Sequence, residues 1–179
     1  IRGGYLVGAR ANLTGAVLIN TVLSRADLTN ANLTGADLSN TTLTDVVLTK
    51  VNLANATLEG AKLGKADLTG INLREANLTG ADLTGANLTD VDAAKANFTG
   101  ANLAGADFTR ADLTSAVLAG VVASDLKLAY ANLSFADLRN VTLTNANLTN
   151  ATLVGATVTG TYEYRYGLPG SDLSNANLA

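Results

Sequence analysis

Cysteine and histidine are both missing from the 179 residues. Without cysteine there is no disulfide, and no thiolate to act as nucleophile or metal ligand. Without histidine the commonest general base and metal ligand near neutral pH is gone. Aromatic residues make up 4% of the chain against 47% hydrophobic, so any core must be aliphatic and thin. There is one proline, Pro169, and no apolar run approaches the roughly 20 residues of a spanning helix. The 12 Lys and Arg are interspersed with 15 Asp and Glu, a net charge of −3, and form no basic patch for nucleic acid. No nucleophile–base pair, phosphate loop or metal cluster is apparent. Neither an enzyme activity nor a cofactor is expected, and direct nucleic-acid binding is not expected.

What is present is one short phrase repeated. Ala76-Asn77-Leu78-Thr79-Gly80, Ala81-Asp82-Leu83-Thr84-Gly85 and Ala86-Asn87-Leu88-Thr89-Asp90 are three consecutive instances. Let i denote the Leu position. Stepping by five from Leu13 to Val158 gives 30 such positions, of which 25 are Leu and two are Phe (Phe98 and Phe108). At i−2, 21 of the 30 residues are Ala, and none of the others is charged. The phase never slips, so the repeat takes precedence over local propensity.

A period of five excludes the regular elements. On an α-helix each Leu would sit about 140° around from the last, leaving no apolar stripe. On a continuous strand an odd period puts successive Leu residues on opposite faces. Three extended residues followed by a corner satisfy the pattern: i−2 and i point inward, i−1 points outward, and i+1 and i+2 turn. Gly, Asn and Asp suit such corners. Repeated corners of one hand make a coil, and coils stacked about 4.8 Å apart make a solenoid. The spacing alone does not fix the number of sides.

The A-(D/N)-L-x-x pattern, running from Ala11 to Gly160 and resuming at Ser171, resembles the pentapeptide-repeat family. That resemblance implies an all-β fold, a right-handed quadrilateral β-helix with four pentapeptides per coil. The chain would then form about nine coils and a rod roughly 40 Å long. It also implies a non-catalytic protein-interaction or structural scaffold as the function. Some members of the family bind DNA gyrase through an acidic rod and protect it from quinolones. Here Leu rather than Phe dominates at i, and bases accompany the acids on every side. DNA mimicry directed at gyrase or topoisomerase is therefore the alternative reading.

The departures divide the chain. Residues 1–10 form an irregular lead-in, 11–160 the β-helix, 161–170 a Tyr-rich interruption, and 171–179 the terminal repeats. Within 91–110, Ala93 stands at i beside Phe98 and Phe108, which reads as volume compensation in a close-packed interior. Tyr130 and Phe135 fall at i+2 of consecutive repeats, where side chains face solvent. They make a candidate partner surface, or simply cover a corner. Residues 161–170 place Glu163 at an inward position, where a carboxylate is expensive unless paired. This segment, carrying Tyr162 and Tyr164 as further candidate contacts, is expected to leave the coil as a loop or cap. An end left open favours pairing with another chain, so a homodimer through a solenoid end is expected alongside an unidentified protein partner.

Thr29, Thr49, Thr69, Thr89 and Thr109 recur every twenty residues at i+1 and would stack on one side. Threonine is common at i+1 and suits stacked strands. The sharper reading of the column is ice binding. Asn12, Asn32, Asn77, Asn87 and Asn147 begin formal glycosylation sequons, but the repeat itself generates them. A secreted eukaryotic protein would risk glycans along stacked strands, so the expectation leans to a bacterial cytoplasm.

Overall fold

A computed structural model describes residues 7–164. The backbone is a stack of short bridges, each joining an i−1 residue to the one twenty places on. Asn12 pairs with Asn32, Val17 with Asp37, Val22 with Thr42 and Asp27 with Val47, all parallel, and the series continues to Asn132 with Thr152. Four pentapeptides therefore complete one coil, and the cross-section has four sides.

Each repeat uses its backbone in the same way. The Leu13 N–H donates to the Asn32 carbonyl of the next coil at 2.7 Å, and the Gly15 N–H to that of Thr34 at 2.9 Å. The Asn32 N–H returns to the Ala11 carbonyl at 3.0 Å. The Ala16 N–H closes the corner on the Leu13 carbonyl at 2.9 Å. This is a four-residue turn whose third residue is left-handed, the requirement of a type II turn.

The interior takes the i and i−2 side chains, as the spacing predicts. Leu18, Leu58, Leu88 and Leu118 are fully buried, and so are Ala36, Ala61, Ala96 and Ala116. Each buried Leu contributes about 1.5–3 kcal/mol relative to exposure. Phe98 and Phe108, from opposite sides of one coil, meet edge to face with centroids 5.6 Å apart and planes at 88°. Ala93 is fully buried in the same coil. Thr41 is the buried polar side chain among the described residues. Its hydroxyl donates to the Leu18 carbonyl at 2.9 Å, the same carbonyl that accepts from the Thr21 hydroxyl at 2.7 Å.

Near the C-terminal end the isolated bridges merge into two continuously paired segments, while the left-handed corners at Asn140 and Asn145 persist. Strand β1, Asp137–Ala146, pairs in parallel with β2, Thr157–Tyr164. The offset starts at the usual twenty, with Asp137 opposite Thr157. It shortens past Leu138, so that Val141 faces Gly160, and again past Thr144, so that Ala146 faces Tyr164. At the first slip the Thr159 hydroxyl accepts the Asn140 N–H at 3.0 Å, where other corners use a backbone carbonyl. The interruption expected over 161–170 thus has its first four residues in paired strand. With the slip, the Glu163 backbone pairs with Thr144 instead of Leu143. The side chains of Tyr162 and Tyr164 lie outside the described residues, as do residues 1–6, 165–170 and the terminal repeats 171–179. The expected end-to-end contact falls there too.

Candidate interaction surface

With the interior filled, the surface that the described residues offer is four sides and four corners. The corners are uniform. Every residue numbered by a multiple of five from Arg10 to Gly155 has φ between 54° and 69°. Ten are glycine and twenty are not, and the twenty include Asn, Asp, Lys, Arg, Glu, Tyr and Phe. Left-handed backbone costs an L-residue about 1–2 kcal/mol unless it is Gly or, less so, Asn or Asp. The five-residue pattern places unusual dihedrals at i+1 and i+2 together. The structure confines them to i+2. The signal was available, since 12 of the 17 Gly stand at numbers divisible by five.

Tyr130 and Phe135 occupy two consecutive corners, with φ of 60° and 59°. Tyr130 is 60% exposed and Phe135 65% exposed. They flank one side of one coil. The Phe135 ring lies over Gly155, the corner directly above it in the stack: a Cβ at Gly155 would stand 2.7 Å from ring carbons.

The sides are lined by i−1 and i+1 side chains, and wherever a described i−1 residue is Asn or Asp it bonds back to i+1. The i+1 N–H is left out of the ladder, and an Asx at i−1 takes it. Asn77 Oδ1 accepts from the Thr79 N–H at 3.1 Å and the Thr79 hydroxyl at 2.6 Å. Asp82 does the same for Thr84, and Asn132 for Ser134. This is the local Asx geometry that competes with regular structure elsewhere and completes it here. In the Thr column, the Thr69 hydroxyl donates to Asp67 and that of Thr89 to Asn87. Thr49 follows Val47 and has no Asx before it. A shallow depression of about 310 Å³ lies beside the column, lined by Leu48, Thr49, Lys50, Asp67, Thr69 and Gly70.

Charges also pair within the scaffold. Arg110 grips Asp90 of the preceding coil through two bonds of 2.7 Å. Lys95 meets Glu75, Arg74 meets Asp92, Lys127 meets Asp107, and Arg139 meets Asp137. The Arg110 guanidinium holds the Asp90 carboxyl below its ordinary value, and Arg139 does so for Asp137. The hydroxyl and N–H of Thr84 lower Asp82, and those of Thr29 lower Asp27. Burial raises Asp107, but its bonds to Thr109 and Lys127 outweigh that and leave it lowered.

Folded values depressed below the ordinary 3.8 mean that the stabilisation is complete above 3.8 and is lost as pH falls through the folded values. Urea midpoints are expected to be level from pH 7 to about 5 and to fall below about pH 4. Asp82→Asn, which keeps an acceptor for Thr84 without an ionisable group, is expected to shrink that fall. An unchanged acid limb in the variant would refute the assignment.

Among the described residues no group of three or more acidic side chains could hold a metal ion. No helix is long and apolar enough to cross a membrane among them.

Twenty residues per coil, inward Leu and left-handed corners define a β-helical repeat solenoid. Pentapeptide repeats match in eight copies over residues 9–45, 52–90, 94–125 and 124–162, and the chain belongs to the pentapeptide-repeat family. HetL, a pentapeptide repeat protein involved in heterocyst differentiation regulation from the cyanobacterium Nostoc, is a solved relative of 26% identity. The match covers 94% of this chain and 87% of HetL with a TM-score of 0.73. A trypsin-treated variant of QnrB1, a plasmid-mediated fluoroquinolone resistance protein, is 18% identical over 91% of this chain and 89% of its own, with a TM-score of 0.43. A pentapeptide repeat protein of the Arabidopsis thaliana thylakoid lumen is 33% identical over 56% of this chain and 66% of its own, at 0.36. No curated protein matches the sequence. The fold is the right-handed quadrilateral β-helix of this family, a repeat scaffold.

Proposed function

We propose that the chain is a non-catalytic scaffold that binds a protein partner through the aromatic corners Tyr130 and Phe135. The observation that carries this reading is a local sacrifice of stability. Two aromatic residues sit in left-handed backbone on consecutive corners, where the other described corners carry Gly, Asn, Asp, Ser or a long charged side chain. Both remain mostly exposed, so burial returns little for the conformational cost. Strain retained at an exposed position is a pointer to function. Exposed aromatics are also the side chains most enriched in binding hot spots. The involvement of HetL in a regulatory process supports the same kind of role here.

The test replaces both aromatics by the residue the chain already uses at corners. Tyr130→Asn with Phe135→Asn is expected to fold, to melt no lower than the parent, and to lose a protein that the parent captures from its native extract. A double variant that still holds every protein bound by the parent would sink the proposal.

A further inference from the structure

We propose that the stack carries a built-in hinge: the side where residues 46–50 meet 66–70 stands open, and the coils before it tilt against the coils after it. Between Asn12 and Thr152 the bridge series breaks at one place. Val47 pairs with Asp27 on one side and Asp67 with Asn87 on the other, but Val47 and Asp67 do not pair with each other. Four ladder bonds are lost with that bridge. In the adjoining coils the N–H groups of Arg25, Leu28, Asn30 and Asn87 donate to the carbonyls of Thr44, Val47, Thr49 and Ala66 at 2.9 to 3.1 Å. The N–H groups that hold the same places here, those of Asp45, Leu48, Lys50 and Asp67, donate to no backbone carbonyl. The depression of about 310 Å³ beside the Thr column is the mouth of this gap. Val46 and Ala66, 7% and 6% exposed, are the most exposed residues of the interior cluster.

The packing supplies a cause. Most repeats have Ala at i−2, but residues 41–60 have Thr41, Val46 and Val51 there, and Ile71 follows Val51 in the next coil. Elsewhere a small residue at i compensates for large ones: Ala93 stands in the coil of the two Phe, and Ala123 in the coil of Val121 and Leu126. The four i residues of 41–60 are all Leu, so this coil has no such relief. Overpacking is relieved by backbone shifts. The shift falls where Val46 enters, and its corner bond to the Leu43 carbonyl is stretched to 3.4 Å. The other three sides between the same two coils remain joined, Thr42 to Lys62, Asn52 to Asn72 and Thr57 to Asn77. The Thr57 side lies opposite the gap. A tilt about it breaks no bond on the open side, a freedom that a fully bridged pair of coils lacks.

Hydrogen exchange of the full chain, followed by NMR, tests the open side. The amides of Asp45, Leu48, Lys50 and Asp67 are expected to exchange at least about a hundredfold faster than those of Arg25, Leu28, Asn30 and Asn87. Val46→Ala is expected to restore their protection and raise the urea midpoint. Val91→Ala, in a coil already relieved by Ala93, should lower the midpoint as an ordinary core truncation does. Spin labels test the tilt, on a chain with no cysteine of its own. Thr29→Cys with Thr109→Cys spans the gap, and Thr69→Cys with Thr149→Cys lies beyond it; each pair is four coils apart, roughly 19 Å. The first pair is expected to give the broader distance distribution, and Val46→Ala to narrow it to that of the second. Amides as well protected as their counterparts would overturn the open side. A lower midpoint in Val46→Ala would overturn overpacking as its cause. Fast exchange with equal widths for the two labelled pairs would mean a fixed gap and overturn the hinge.

Discussion

Phe108→Ala is expected to destabilise the fold by about 3–5 kcal/mol, the largest effect of any single truncation in this core. The ring is fully buried and stacks edge to face on Phe98 at 5.6 Å. Loss of its transfer free energy comes first, and the aromatic pair adds about 0.5–1.5 kcal/mol beyond area. The cavity term is what makes the site severe. In many cores the walls relax inward after truncation, but here each wall is held by ladder bonds to the coils on both sides. The Phe108 N–H is bound to the Lys127 carbonyl at 2.7 Å and the Asp107 N–H to that of Ala86 at 2.9 Å. The cavity cannot close without breaking the stack. Phe108→Leu, which restores the residue that 25 other repeats use, should cost less, about 1–2 kcal/mol. If Ala93 is small because the two rings are large, Ala93→Leu should harm the parent yet partly rescue Phe98→Ala, a coupling that a double-mutant cycle reads directly. Urea unfolding at constant m-value checks the four single variants and the Ala93→Leu/Phe98→Ala double variant. A Phe108→Ala loss below about 1 kcal/mol would mean that the interior is not close-packed at this coil.

The inward residues were legible because burial imposes a period, and a period survives in a single sequence. The alternation of i−2 and i inward against i−1 outward is a matter of strand geometry, so Leu83, Ala81 and Asp82 could be placed without coordinates. The number of sides was not legible that way. A five-residue repeat is compatible with any number of corners, and only the bridges from n to n+20, or resemblance, select four. The slip at Thr159 was hidden for a different reason. It depends on one hydroxyl substituting for one carbonyl at Asn140, and the phase of the Leu column continues past it as if nothing had happened. The candidate surface was half visible. Position in the repeat put Tyr130 and Phe135 in solvent, but not their backbone strain, because the repeat grammar alone does not say which of the two turn residues is left-handed.

That strain leads to the second large effect, at Gly80. This glycine has φ of 63°, and a Cβ added to it would meet nothing within 4 Å. Space therefore does not require glycine here; only the backbone does. Gly80→Val is expected to cost about 2 kcal/mol or more, because a β-branched side chain tolerates left-handed backbone worst. Gly80→Asn, equal in having a Cβ but able to adopt that backbone, should cost a few tenths at most. The reverse change gives the matching gain: Lys65→Asn, at a corner with φ of 60°, should stabilise by roughly 0.5–1 kcal/mol. Thermal midpoints of the three variants separate conformation from packing, since the open surroundings of Gly80 remove packing from the comparison. Equal losses for Val and Asn would show that the bare corner, not its dihedral, is what matters. In that event the cost assigned to Tyr130 and Phe135 would vanish as well. The left-handed corner is thus the common premise: it sets the stability of the scaffold at Gly80 and gives the exposed aromatics their meaning.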